Sequence, residues 1–194
     1  MRGHIFRGTF LLALAAGVAG SASCTMREGE GNSFLIVESL RASSGAEEGE
    51  ATTNLQSDVS TEGSPIEDEG LVSFRLGLKD PLSPTSPNNF VTVNRYRVTY
   101  IRADGRNVQG RDVPFSFDGA FTVTVGDGST EATFSLVRVQ AKLEPPLLGL
   151  RNLGGAAVIS TIAEVTFFGQ DQTGRAVSVV GRISIDFADF ADPD

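Results

Sequence analysis

The chain has 194 residues, and its 24 Asp and Glu against 16 Lys and Arg give a formal charge of −8 at pH 7. Acidity of that size opposes binding to nucleic acid or to an anionic membrane through bulk charge, and it keeps an exported protein dispersed. One His, one Cys and no Trp close most catalytic routes, because imidazole and thiolate are the usual groups for activating nucleophiles and holding transition metals.

The first residues read MRGHIFRGTFLLALAAGVAGSAS. Arg2 and Arg7 supply a positive leader, residues 9–19 are apolar, and small residues follow at Gly20, Ser21, Ala22 and Ser23. That order predicts a secretory signal peptide over residues 1–23. The apolar run falls short of the roughly 20 residues that a membrane-spanning helix needs, and no later stretch approaches that length.

Two processing routes fit this leader. An ordinary signal peptidase would cut behind the small residues. Alternatively, Ser21-Ala22-Ser23-Cys24 resembles the lipobox of bacterial lipoproteins, departing from it in having Ser21 where Leu is most frequent. The resemblance implies cleavage before Cys24 and a lipid on its thiol. Placement favours this route: Cys24 sits between the apolar run and a polar, Gly-rich stretch, TMREGEGNS, and a lone Cys in an exported chain has no intramolecular partner. Several acyl chains anchor firmly where one anchors marginally. Thr25 after the Cys, rather than Asp, resembles lipoproteins sent to the outer membrane. The expected location is therefore the bacterial cell envelope, with the membrane held through the N-terminal lipid; a soluble secreted protein is the alternative.

Cleavage before Cys24 leaves 171 residues, removes Arg2 and Arg7 but no carboxylate, and deepens the charge from −8 to −10. A chain of that length buries roughly 70% of the surface that its unfolded form exposes, so a single domain needs no staples. His4 departs with the leader, and acylation occupies the one thiol. Ser-His-Asp and Cys-His machinery and His- or Cys-based metal sites are then excluded, and no cofactor is expected. Residues 24–33 are assigned to a flexible tether and residues 34–194 to the domain.

Strand patterns follow in chain order. SFLIVESL is apolar and β-rich. In LVSFRLGLK, Val72, Phe74, Leu76 and Leu78 alternate with Ser73, Arg75, Gly77 and Lys79, which predicts a half-buried strand. FVTVNRYRVTYIR sets Tyr96, Val98 and Tyr100 against Arg95, Arg97 and Thr99. VPFSFDGAFTVTVGDG, TEATFSLVRVQAKLE and AVISTIAEVTFFGQ continue the pattern. AVSVVGRISIDFADF closes it, with Val177, Val179, Ile183, Ile185 and Phe187 on one face.

ADGRN, GDGST and DQTGR read as tight hairpin turns, and DPLSPTSPNN as a longer connection. Residues 42–70, acidic and rich in Ser, Thr and Gly, are long for a loop; they are either mobile or hold a short edge strand near NLQSDV. EPPLLGLRNLGG, residues 144–155, reads as a crossover between sheets. No segment shows helical periodicity. About seven strands with unequal connections predict an all-β, antiparallel, Greek-key-like β-sandwich. The pattern resembles an immunoglobulin-like or fibronectin type III-like domain in architecture alone, since the hallmark disulfide and core Trp are missing; such a likeness implies no function.

Carboxylates are the remaining candidates for chemistry. Glu67, Asp68 and Glu69 adjoin one another, and Asp186, Asp189, Asp192 and Asp194 crowd the C-terminal end. Glycoside hydrolysis needs two carboxylates opposed across a cleft, and nothing in the sequence places a pair so; acidic runs are read as solvated faces or tails. Glu67, Asp68, Asp104, Asp112, Asp127 and Asp171 offer oxygen ligands for calcium, but no stretch matches the D-x-D-x-D-G spacing, and Asp-Gly and Asp-x-x-Gly read first as turns. Arg75, Arg95, Arg97 and Arg182 form either a basic stripe for a polyanionic glycan or acidic partner, or, as preferred, cross-strand ion pairs. Leu147, Leu148, Leu150 and Leu153 make either an exposed patch or, as preferred, a plug over one end of the sandwich. The expected function is non-catalytic: an envelope module for binding or scaffolding, docking a protein partner by sheet edge or end loops. A calcium- or glycan-binding adhesion module is the alternative, and a carboxylate-based hydrolase comes third.

Overall fold

Alternating hydropathy becomes strand after strand along the chain. The computed structural model describes residues 31–46 and 49–190; the leader, Cys24, Asp192 and Asp194 lie outside them. Among the described residues there are eight strands: β1 (Ser33–Ser43), β2 (Asn54–Asp58), β3 (Asp68–Leu78), β4 (Val91–Ile101), β5 (Phe117–Val125), β6 (Ser129–Val137), β7 (Ile159–Asp171) and β8 (Ala176–Ala188). They form a three-stranded sheet, β1-β3-β6, facing a five-stranded sheet, β2-β8-β7-β4-β5. The all-β, two-sheet reading therefore holds, with one strand more than the seven expected.

The eighth strand is β2, at the position marked by NLQSDV. Among the pairs formed by these eight strands, β2–β8 alone is parallel, with Leu55 opposite Ile185. Paired Ala42 and Thr52 backbone hydrogen bonds of 2.8 Å close the corner between β1 and β2. At the other end of residues 24–33, Ser33 leaves the expected tether to open β1. Its side chain is buried and donates to the Asn89 carbonyl at 2.8 Å.

Two expectations about connections change. DQTGR is a tight β7–β8 hairpin, with Gly174 at φ +85° and its N–H donating to the Asp171 carbonyl at 2.9 Å. GDGST, however, joins strands in different sheets, so the short turn steps from one layer to the other rather than closing a hairpin. ADGRN opens a longer loop, residues 102–116, between the paired strands β4 and β5. The segment TEATFSLVRVQAKLE also divides: β6 stops at Val137, and one helical turn, α1 (Val139–Lys142), follows. Pro145 and Pro146 come next, and neither can donate to a sheet ladder, so the strand has no way to continue. Residues 144–155 then carry the chain from the small sheet to the large one, through a 3-10 turn, Leu147–Leu150.

Aromatic rings fill the space between the sheets. Phe167 of β7 is fully buried and meets Phe74 of β3 and Phe134 of β6 edge-on, with centroids 4.9 and 5.4 Å apart. Phe134 in turn lies 4.9 Å from Tyr96 of β4. Such edge-to-face pairs add to simple area burial. Tyr96 lies over Gly119, its partner across the strands, where an added Cβ would fall 2.1 Å from the ring; a side chain there would evict the tyrosine. Among the described residues no helix is long and apolar enough to cross a membrane.

Because Phe167 is touched by Phe74 and Phe134 from the small sheet and by Phe121 of β5 in its own, truncating it opens a cavity that neither sheet can collapse into alone. We expect Phe167→Ala to lower unfolding free energy by about 3–5 kcal/mol. Arg182→Ala on the outer face should cost no more than about 1 kcal/mol. Urea unfolding midpoints compare the two; equal losses would mean that the ring layer does not hold the sheets together.

Candidate functional site

The acidic run before β3 is split by strand alternation. Glu67 and Glu69 face solvent, while Asp68 turns inward and is fully buried. This overturns the expectation of a solvated acidic face at Asp68. Its partner is Lys142, the last residue of α1, equally buried, with Nζ 3.0 Å from Asp68 Oδ1. Lys142 Nζ also donates to the Ile66 carbonyl at 2.5 Å. The carboxylate has two further donors: the Gly45 N–H reaches Oδ1 at 3.2 Å, and the Ser57 hydroxyl reaches Oδ2 at 2.5 Å. Three separated pieces of chain thus converge on a carboxylate carried by a fourth. Burial pushes the Asp68 carboxyl above its usual range, with the Lys142 charge and the hydrogen bonds from Ser57, Lys142 and Gly45 pulling against that rise. Nearby, the buried Tyr100 hydroxyl donates to the Leu136 carbonyl at 2.7 Å, and burial drives its phenol far above the ordinary value.

Most of the other candidate carboxylates are occupied by local donors. Asp171 Oδ1 accepts from the Thr173 N–H, the Thr173 hydroxyl and the Arg175 N–H at 2.8, 2.6 and 2.9 Å. Burial raises its carboxyl, yet these donors outweigh burial and hold it below the usual range. Asp104 takes Arg102 at 2.7 Å and Arg106 at 2.9 Å, and hydrogen bonding from Arg102 holds it far below the usual range. Asp112 pairs with Arg111 at 2.8 Å, and Asp127 is exposed in the turn before β6. Asp186 accepts from Asn54 at 3.4 Å and Asp189 from the Gly154 N–H at 3.5 Å. Asp58, which the sequence did not single out, caps the end of β2: it accepts from Ser60, Thr61 and Phe190 at 3.2, 2.8 and 3.1 Å. Among the described residues no three of His, Cys, Asp and Glu gather where a metal ion would sit.

The four arginines resolve into cross-strand ion pairs. Arg97 grips Asp118 through two nitrogens at 3.1 and 2.7 Å, and Arg95 reaches the same carboxylate at 3.1 Å. Arg95 also stacks over Phe168, 3.9 Å from the ring centroid. Arg182 binds Glu164, its direct neighbour on β7, at 2.7 Å. Arg75 lies on the other sheet and binds Glu38 at 2.8 Å. No continuous stripe forms.

The leucine segment divides between its two readings. Leu147 and Leu150 are buried, as residues three apart on a 3-10 turn share a face. Leu148 and Leu153 are exposed, along with Leu143 and Val158 nearby.

Surface concavities are shallow. Of four among the described residues, the one running between the edge strands β5 and β6 has the greatest volume, about 500 Å³, and is lined by Leu71, Phe121, Val123, Glu131 and Ala132 among others. Each of the four has a single carboxylate in its lining: Glu50, Asp186, Glu131 or Asp80. None sets two carboxylates on opposing walls.

Lys142 is the residue that sequence reasoning missed; the one available signal is a lysine placed between Ala141 and Leu143 just ahead of Pro-Pro and four leucines. No family model, curated protein or solved structure matches the chain.

Replacing the lysine leaves Asp68 buried without its cation. Lys142→Met should destabilise the protein by about 3–5 kcal/mol near neutral pH, as removal of one partner of a buried pair does. The folded-state value of Asp68 then stands still further above the unfolded value of 3.8. A carboxyl raised in this way contributes its full stability below the unfolded value and loses it as pH rises through the folded one. The deficit against wild type should therefore shrink on acidification toward pH 4. Urea titrations across that range measure it; a deficit that stays constant would rule out Asp68 as the cause.

Proposed function

We propose that this protein is a bacterial lipoprotein whose β-sandwich is a non-catalytic binding or scaffolding module, held in the cell envelope through Cys24. The observation that carries the reading is the order of the N-terminal sequence. Positive leader, apolar run, small residues and Cys24 follow one another, and a polar stretch then leads to β1. That is the arrangement an acylated terminus requires, with a short spacer between lipid and domain.

Two features of the domain support binding over catalysis. Its inward carboxylate is spent on Lys142, and Asp104, Asp112 and Asp171 hold backbone and arginines. A hydrolase working with two carboxylates needs both free on facing walls. A docking module needs less: an accessible strand edge for main-chain pairing and an apolar contact beside it. The neighbouring edges of β5 and β6, with their shallow groove, suit the first requirement. The exposed leucines of the end loop suit the second. On this reading the sandwich serves as an immunoglobulin-like module toward a protein partner, without nucleic acid.

Intact mass of the protein extracted from its own bacterial membranes tests the anchor. The expected species begins at Cys24 and carries two or three acyl chains, and Cys24→Ser moves the protein out of the membrane fraction. A soluble chain beginning upstream of an unmodified Cys24 would sink the proposal.

A further inference from the structure

The Lys142/Asp68 pair has more chemistry than an ion pair uses. An amine nitrogen sits 3.0 Å from a carboxyl oxygen where both side chains have no exposed surface, and the chain separating them is 74 residues long. Neither group can drift away: the Ile66 carbonyl holds Nζ, and Gly45 and Ser57 fix the two carboxyl oxygens.

We propose that Lys142 and Asp68 condense into an amide, a permanent crosslink between α1 and the start of β3. The ammonium first passes a proton along its hydrogen bond to the carboxylate, giving a neutral amine and a neutral acid. Low polarity favours that neutral pair over separated charges, in keeping with the upward pull that burial exerts on Asp68. The nitrogen lone pair then forms the Nζ–Cγ bond. Charge developing on Oδ2 is met by the Ser57 hydroxyl that already touches it, as a fixed donor does in acyl transfer. Nitrogen passes its second proton to Oδ1, its hydrogen-bond partner, the Cγ–Oδ1 bond breaks, and Oδ1 leaves as water with the two protons shed by nitrogen while Oδ2 becomes the amide oxygen. Nothing is oxidised or reduced, and no co-reactant is consumed. Acid and amine condense sluggishly in water, but fixed contact supplies effective concentrations of about 10⁵–10⁸ M, and a dry site opposes the reverse hydrolysis.

Mass spectrometry of the denatured full chain decides the matter. The wild type should weigh one water less than its processed sequence, and the Lys142→Arg variant should show its full mass. Trypsin should fail to cut after Lys142, and the digest should hold a branched peptide joining residues 142 and 68. A wild-type chain at full mass would overturn the proposal. So would a water loss that maps to the Asp-Gly pairs at Asp104, Asp118 or Asp127, where succinimide formation gives the same change.

Discussion

Phe167 stands in the middle of the large sheet and takes rings from two strands of the small one, at 4.9 and 5.4 Å. Three strands have to cover five, so the rings of the small sheet must reach further than aliphatic side chains would. Phe74 and Phe134 supply that reach, Tyr96 of the large sheet meets Phe134 from the other side, and Val72, Val98, Val165 and Ile185 pack the space around them. Once this layer is set, every strand must offer alternate residues inward. The connections are then left to run around the ends of the sandwich or to step between layers. Gly119 beneath Tyr96 and Gly70 beneath Phe134 follow from the same demand: a ring of this size lies flat only where the neighbouring strand lacks a side chain.

The apolar layer stops where β3 begins and β6 ends, and there the polar cluster takes over. Asp68 pairs with Val137 in the ladder, and the chain beyond Val137 returns as α1 to bring Lys142 beneath it. A hydrophobic pair of similar volume could stabilise this junction as well as an ion pair does. What the charges add is intolerance of any other docking, because α1 placed elsewhere would leave two buried ions alone. The same cluster gathers Gly45 and Ser57, so the loop after β1 and the short strand β2 are fixed by the carboxylate that receives α1. Beyond any role in function, Asp68 is a structural hub.

Much of this was legible in the sequence, and the rest failed for specific reasons. Strands β3, β4 and β8 could be drawn with their inward residues because Val72 and Phe74, Tyr96 and Tyr100, and Ile183 and Ile185 contrast sharply with their neighbours. Even β2 was visible as NLQSDV. Period two assigns a face but not a partner, so the parallel pairing of β2 with β8 and the layer change at GDGST lay beyond its reach. Asp68 was hidden by its neighbours: Glu-Asp-Glu carries no hydropathy contrast, and its alternation shows only in three dimensions. Lys142 was hidden by length, since one helical turn is too short to display a 3.6-residue period, and a lysine there reads as solvated. The signal peptide and lipobox at Ser21-Ala22-Ser23-Cys24 lie outside the described residues.

The distribution of charge bears on how such a module would meet a partner. Strand arginines are already engaged: Arg97 with Asp118 at 2.7 Å, Arg182 with Glu164 at 2.7 Å, Arg75 with Glu38 at 2.8 Å. A carboxylate on a partner would have to displace an intramolecular one of equal charge, and exposed pairs of this kind are worth about 0–1 kcal/mol either way. The sheet faces therefore offer little net attraction despite their density of charge. Strand edges and the exposed leucines near α1 differ, because unpaired backbone and apolar surface gain from burial without first giving up a partner. On the proposed reading, recognition then depends on strand pairing and apolar contact, with salt affecting it only weakly. The acidic surplus, carried in part by exposed Glu62 and Glu67 ahead of β3, keeps copies of the module apart until a partner of matching shape arrives.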